Sequence, residues 1–446
     1  MLTKNMITFD SIRMKIYDKA TVHVVGGGAS GRAVLKLLES CDTPLVFHEK
    51  NEDKLLPEFK AWLEEKKIPC FFGEHKKENF KGCEIFVPSP GAAIAEFTEF
   101  LPRNAIAVSE TEIAYLFCED VPILGITGTS GKTTTTTICS AILEEQGLSV
   151  FTGGNIGTPL SEYALKRIEN PESQKADVLV LELSSFQLQT CNALPVHVGI
   201  CLNISPNHLD YHKDMQEYID AKMELFVHQN ENDFAILSPD LAHLAKKYRF
   251  KATTIIFNDE AKNFLRTKLL GQHNQSNAEA AWQACKLFGV SFENAQKAME
   301  KMAPMANRLE FIRELDGVNY INDTKCTTVS ALEVAIKAVS EAGHPIILLA
   351  GGKFKGGDLE GILPLMQKYV KHVALYGASR EIFEGAWKDK LSLSYNEKMA
   401  DAILCAKEIA ESGDAILLAP ATSSFDQYKD YIARGNDFKN TVLNLK

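Results

Sequence analysis

A chain of 446 residues, 45% hydrophobic and 24% charged, has the composition of a folded protein and the length for two to four domains. Its formal charge of −10, with no strongly basic stretch, argues against a nucleic-acid partner, so an anionic ligand has to be held locally by backbone N–H groups, a few cations and metal ions. Ten cysteines without a Cys-x-x-Cys pair argue against a zinc ribbon or redox dithiol; the charges between Met1 and Tyr17 break up any signal-peptide core, and no apolar run reaches the ~20 residues of a membrane span, so reduced thiols and a cytoplasmic location are expected.

In chain order, Val22–Val25, Leu45–Phe47 and Glu84–Val87 read as strands and Arg32–Leu38 as a helix, βαβ texture that predicts a parallel sheet. The first strand runs into Gly26-Gly27-Gly28-Ala29-Ser30-Gly31, a G-x-G-x-x-G turn, and Glu49 ends the next strand, roughly twenty residues on, where a ribose-binding acid belongs. Three readings stay open here: a nicotinamide or flavin nucleotide, another nucleotide such as a UDP-sugar, and a structural turn.

A second α/β unit begins near Asp120. The strand Val121–Thr127 leads into Gly128-Thr129-Ser130-Gly131-Lys132-Thr133-Thr134, and a helix follows over Thr133–Glu145. Glycines let such a loop turn its N–H groups toward phosphate oxygens, the helix N-terminus adds a positive dipole, Lys132 supplies a point charge and the Thr133 hydroxyl can ligate Mg²⁺. A full P-loop pattern needs glycine at 126, where Ile126 stands. The loop is therefore a short variant, which points away from signalling GTPases and ordinary P-loop kinases. Val178–Leu183 and Val198–Asn203 read as further strands and Gln275–Phe288 as an Ala-rich helix. Glu182, at a strand end beside the loop, reads as a Mg²⁺-binding group, with a structural cap as the alternative. His208 is a structural residue or a metal ligand supported by Asp210. Lys222, within the helical stretch Tyr218–Phe226, reads from pattern alone as a surface lysine.

Pro304–Arg308 looks like a connector to a third α/β unit with strands Val318–Ile321, Pro345–Ala350, Val373–Tyr376 and Ala415–Ala419. Asp323, Gly351, Gly377 and Pro420 fall at strand ends, where α/β sheets collect ligands. The expected domains are 1–117, 118–305 and 306–446.

Taken together, these motifs resemble the Mur ligase family, ATP-dependent amino-acid ligases of peptidoglycan precursor synthesis. The resemblance runs from Gly26 to Asp437. It rests on Thr127–Thr134, Gly154-Asn-Ile-Gly157, Leu181-Glu-Leu-Ser-Ser-Phe-Gln-Leu188, Leu270-Gly-Gln-His-Asn274, Asn322-Asp-Thr-Lys325, Pro420-Ala-Thr-Ser-Ser-Phe-Asp-Gln-Tyr428 and Arg434-Gly-Asn436. Leu181–Leu188 resembles the D-glutamate-adding members. The resemblance implies an α/β protein of three domains: N-terminal Rossmann-like, central P-loop ATPase-like with a parallel sheet, and C-terminal Rossmann-like. It implies UDP-MurNAc-L-alanine, D-glutamate and ATP as small-molecule substrates, two Mg²⁺ ions, an acyl-phosphate intermediate, and a monomer with neither a nucleic-acid nor a membrane partner.

The same resemblance assigns roles. Gly28, Ala29, Ser30 and Gly31, with Glu49, Ser89 and Gly91, would hold the UDP substrate. Gly128, Thr129, Ser130, Gly131, Lys132, Thr133, Thr134, Asn155, Asn277, Arg308 and Asp323 would bind ATP. Thr133 and Glu182 would hold the first Mg²⁺ and His208 the second. Lys222 falls where the family carries a carbamylated lysine that supports a metal, which reverses the surface reading. Lys132, Glu182, His208 and Lys222 would be the catalytic set. Lys325, Thr327, Lys355, Ser424, Phe425 and Tyr431 would line the D-glutamate site. Two positions depart from the family pattern: Asn207 stands where an acid usually precedes the histidine, and both Lys353 and Lys355 occupy a motif that needs one lysine, spacing favouring Lys355. Three rival readings compete with it: a folylpolyglutamate synthetase-like ligase sharing the short loop, an NAD-dependent dehydrogenase using Gly26–Gly31, which leaves Lys132 and Glu182 unexplained, and a nucleotide-sensing module without turnover.

Overall fold

The computed structural model describes residues 7–170, 175–209, 211–264 and 266–446. Its strands form three sheets. The first contains β1 (Val22–Val25), β2 (Leu45–Glu49), β3 (Cys70–Phe72), β4 (Ile85–Pro88) and β5 (Ile106–Ala107), in the order β3-β2-β1-β4-β5 and parallel throughout. The second contains β6 (Ile123–Thr127), β7 (Val150–Gly154), β8 (Val178–Glu182), β9 (Val198–Cys201), β10 (Phe234–Leu237) and β11 (Thr253–Ile256), in the order β11-β10-β9-β6-β8-β7 and again parallel. The third contains β12 (Glu310–Leu315), β13 (Val318–Asn322), β14 (Ile346–Gly351), β15 (Val370–Tyr376), β16 (Leu393–Asn396) and β17 (Ala415–Leu418), in the order β12-β13-β17-β14-β15-β16. Only β12 runs antiparallel, as a hairpin with β13.

By packing, the chain separates into two compact units. One comprises Met1–Ala261 with Asn277–Ala298 and carries the first two sheets; the other comprises Lys262–Ser276 with Met299–Lys446 and carries the third. The predicted strands are present, and the sequence reading missed mainly edge and flanking strands. β3 and β11 are mostly exposed, so they lack the continuous apolar run that marks a strand buried on both faces. The central strands have that run: Val178–Leu181 and Ile346–Ala350 are all at most 1% exposed.

Two local devices shape the first unit. The short helix Glu110–Tyr115 follows β5 and turns two carboxylates inward. Glu110 accepts from Ser161 N (2.7 Å) in the first turn of the helix Leu160–Glu169, and Glu112 accepts from Asn192 N (3.1 Å) and Ala193 N (2.6 Å). These bonds tie the chain leaving the first sheet to elements around the second. The helix Lys132–Glu145 opens with five consecutive threonines, Thr133–Thr137, a β-branched run poorly suited to a helix. Burial holds it: Thr134, Thr135, Thr136, Ile138, Cys139, Ile142 and Leu143 are all inside. Among the described residues no helix is long and apolar enough to cross a membrane.

Candidate functional site

In the first unit the chemistry gathers at the carboxyl ends of β6 and β8. Gly131, the residue before the helix, has φ +84°, and a Cβ there would lie 2.5 Å from Asn277 Oδ1. A side chain at 131 is thus excluded twice, and its absence lets Asn277 close on the loop. Asn203 brackets the loop from β9, accepting from Ser130 N (2.9 Å) and donating to Ser130 O (3.1 Å). Lys132 folds back, its Nζ donating to Gly128 O (2.8 Å) and Thr129 O (3.1 Å). Thr133 and Thr134 start the helix.

Glu182 ends β8 and pairs with Ile126 of β6, so its carboxylate lies beside the strand that feeds the loop. It is 2% exposed. Oε1 accepts from Asn155 Nδ2 (2.8 Å), and Asn155 N donates to Glu182 O (2.8 Å). Oε2 is buried without a hydrogen bond. A buried carboxylate oxygen left bare is costly unless a cation covers it. With the Thr133 hydroxyl at the loop, this is an oxygen donor set of the kind Mg²⁺ prefers. Among the described residues no group of three or more His, Cys, Asp or Glu side chains could hold a metal, so an ion here would complete its shell with ligand oxygens and water.

Lys222 is not a surface residue. It is 1% exposed, donates from Nζ to Gly128 O (2.9 Å), and lies 4.6 Å from the Tyr218 ring centroid. Burial, reinforced by Lys132, lowers its pKa from 10.5 to about 7. The signal was present in the sequence: Tyr218, Ala221, Lys222 and Leu225 form the buried stripe of the helix Met215–Val227, so Lys222 occupies an apolar position. Tyr218 itself was overlooked, although its hydroxyl meets Thr129 Oγ1 at 3.0 Å.

His208 occupies an exposed turn with φ +56°. Its ring packs edge-on to Phe186 (4.8 Å) and lies 6.4 Å from the Tyr218 ring. Asn207 Oδ1 accepts from His208 N (3.0 Å). Asp210 lies outside the described residues. A second unpredicted pair sits behind: His212, 1% exposed, hydrogen-bonds Ser185 Oγ (2.9 Å) and stacks on Phe186.

The N-terminal turn is built for close approach. Gly26 has φ +95°, and a Cβ on Gly31 would stand 2.0 Å from Gly26 O. Ser89 Oγ donates to Gly26 O (3.1 Å), and Glu49 Oε2 accepts from Gly27 N (2.7 Å). The helix Ala29–Glu39 begins at Gly28 without a side-chain cap, so Gly28, Ala29 and Ser30 present an N-terminus with no protein carboxylate or hydroxyl capping it. Gly91 lies two residues past Ser89 on an exposed turn. Ser89, Glu110, Phe186, Gln187 and Tyr211 line one crevice, which joins this turn to the Leu181–Leu188 segment.

In the second unit, Asp323 follows β13. Its carboxyl, pushed up to about 7 by burial, accepts from Leu309 N (3.3 Å), and the Arg308 charge acts against the rise. Lys325 Nζ lies 5.6 Å from the Tyr431 ring centroid and Lys355 Nζ 5.8 Å from that of Phe425. Phe425 is 65% exposed, Ser424 is buried and Thr327 half-buried. Lys353 is tied through its backbone to Ser423 (2.9 and 3.0 Å). Arg434, fully buried, belongs to the Arg434-Gly-Asn436 motif, to which the sequence attaches no role. It donates to Thr324 O (2.9 Å), Thr324 Oγ1 (2.9 Å) and Thr422 O (3.1 Å), pinning the turns after β13 and β17. The residues predicted for ATP divide accordingly: the loop, Asn155 and Asn277 belong to the first unit, Arg308 and Asp323 to the second.

Comparison with known proteins bears on this arrangement. Residues 126–264 match the Mur ligase middle domain and residues 307–422 the Mur ligase glutamate ligase domain. The chain is 46% identical to a UDP-N-acetylmuramoylalanine–D-glutamate ligase of Nitratidesulfovibrio vulgaris, over 95% of this chain and 96% of the relative. It is also 46% identical to the protein of that name from Lawsonia intracellularis, over 94% and 93%. Among solved structures, MurF ligase from Thermotoga maritima in complex with ADP aligns with a TM-score of 0.58 at 16% identity, covering 99% of this chain and 97% of that one. MurC from Thermotoga maritima gives 0.55 at 17%, covering 96% and 100%. The distant structures share the fold; the two domain models and the close relatives establish that this chain belongs to the Mur ligase family.

Proposed function

We propose that the chain joins D-glutamate to UDP-N-acetylmuramoyl-L-alanine at the expense of ATP. The observation that carries this reading is near-full-length similarity, at 46% identity, to relatives named for that reaction. The substrate's terminal carboxylate attacks the γ-phosphorus, ADP departs, and the resulting acyl phosphate is attacked by the amine of D-glutamate; phosphate leaves as the amide forms.

The chain's own groups suit these steps. Lys132 would exchange its bonds to Gly128 O and Thr129 O for phosphate oxygens, and Gly128–Thr134, Asn155, Asn277, Arg308 and Asp323 would hold ATP. Thr133 and Glu182 would hold one Mg²⁺ and His208 a second, screening the repulsion between two anions. Lys222, with a pKa near 7, has an appreciable neutral fraction at physiological pH, and a neutral amine adds CO₂ to give a carbamate and a proton. Gly28–Gly31, Glu49, Ser89 and Gly91 would take the UDP portion. Glutamate carries two carboxylates; Lys325 and Lys355 offer two cations, with Thr327, Ser424, Phe425 and Tyr431 around them. In this reading 1–117 binds the UDP substrate, 118–305 ATP and 306–446 the amino acid, in a cytoplasmic monomer.

The test is phosphate release from purified protein given ATP, UDP-N-acetylmuramoyl-L-alanine and D-glutamate. Release requires all three, and L-glutamate replaces the D-enantiomer poorly. Equal release without an amino acid would remove the ligase reading.

A further inference from the structure

The second unit holds a cavity of about 440 Å³ that the proposed reaction does not use. It is lined by Lys268, Leu270, Pro304, Leu309, Phe311, Asn319, Ile321, Ala342 and His344, all within that unit. Its place in the sheet separates it from the proposed amino-acid site. Asn319 lies near the start of β13, and Ala342 and His344 precede β14, whereas Asp323, Lys325 and Ser424 follow the strand ends. The floor belongs to the core of the unit, where Leu309 and Ile321 are buried and Leu270 packs against them.

The wall is mostly apolar. Phe311, on the edge strand β12, is 49% exposed, an aromatic ring left partly in water beside buried leucine and isoleucine. The polar side is sparse. His344 has both ring nitrogens engaged, Nδ1 with Gly413 O (3.0 Å) and Nε2 with Asn319 Nδ2 (3.2 Å). Among the described residues, Lys268 is then the one lining group with a permanent charge, and none of those lining the cavity is a carboxylate. An apolar cavity within the ~300–1,000 Å³ range of small-molecule sites, with one cationic group, fits a compact aromatic anion. Its ring would cover Phe311 and its charge would face Lys268.

We infer that this cavity is a second binding site, for a small aromatic molecule bearing a single negative charge. The probe is 1-anilinonaphthalene-8-sulfonate, titrated by fluorescence into the full-length protein with UDP and ADP saturating. One saturable component is expected. Phe311→Asp should weaken it at least about tenfold and Lys268→Glu about threefold or more. The uncharged N-phenyl-1-naphthylamine should bind without responding to Lys268→Glu. Leu309 and Ile321 are left intact because the Leu309 amide holds Asp323 and Ile321 is core. Phe311 has no role in the proposed reaction and is half exposed on an edge strand, so Phe311→Asp should keep the wild-type melting curve and phosphate release. Absence of saturable binding, or Phe311→Asp binding within twofold of wild type, overturns the site. Loss with Phe311→Asp but not with Lys268→Glu overturns the anionic class.

Discussion

Substituting methionine for Lys222 separates what the residue does for folding from what it does for activity. The folded protein holds the amine at a pKa of about 7, whereas an unfolded chain keeps it near 10.5. Between those values the unfolded state binds more protons, so stability rises with pH across that window and is level below it. At pH 7.5 the amine is three units below its unfolded pKa, which at about 1.4 kcal/mol per unit costs roughly 4 kcal/mol. Methionine fills similar volume without that cost but loses the hydrogen bond to Gly128 O, worth about 1 kcal/mol. Lys222→Met should therefore be more stable by about 3 kcal/mol at pH 7.5, with the gain largely gone at pH 10. Urea unfolding in bicarbonate-free buffer at both pH values measures it. Phosphate release should meanwhile fall by about a hundredfold or more, and in Lys222→Ala formate or acetate should restore part of it. A methionine variant no more stable than wild type, or equally stabilised at pH 10, would refute the reasoning.

Three other outcomes are expected. His23 and His48 touch at 2.9 Å inside the first sheet, and burial lowers them to about 4 and about 3. Both fall below the ordinary 6.5, so the folded state refuses protons that the unfolded chain accepts, and stability drops as pH falls from 6.5 toward 4. His48→Phe should remove about 2 kcal/mol of the loss between pH 7.5 and 5, read from urea curves; equal losses in both proteins would discount the pair. Gly131→Ala places a methyl 2.5 Å from Asn277 Oδ1 at φ +84°, and should raise the KM for ATP about tenfold or more while leaving that for the UDP substrate unchanged. Glu182→Gln should cut phosphate release about a hundredfold and raise the Mg²⁺ concentration for half-maximal rate; unaltered Mg²⁺ dependence would take Glu182 out of the metal site.

What the sequence made legible was whatever is local. The strand–loop–helix around Lys132, the glycine turn at Gly26–Gly31 and the strand ending in Glu182 are each a short run with its own mechanism. What it hid depends on which face of an element is turned inward. Lys222 was misread from pattern because a lysine amid charged neighbours looks solvated, and only its place on the Tyr218–Leu225 stripe betrays burial. The partnership of His212 with Ser185 joins residues 27 positions apart and has no signature in either segment. β12 escaped because its residues are only partly buried and alternate weakly, as an antiparallel edge strand permits.

The threonine run after Lys132 carries a consequence for how the protein comes into being. Thr133–Thr137 gives its helix little reason to form alone; what orders it is the apolar floor to which strands later in the chain, β7 and β8, contribute. The segment that begins at the nucleotide loop should therefore stay unstructured until β8, ending at Glu182, has emerged and packed. Its amides should gain protection from hydrogen exchange late in refolding, after those of the apolar second half of the same helix.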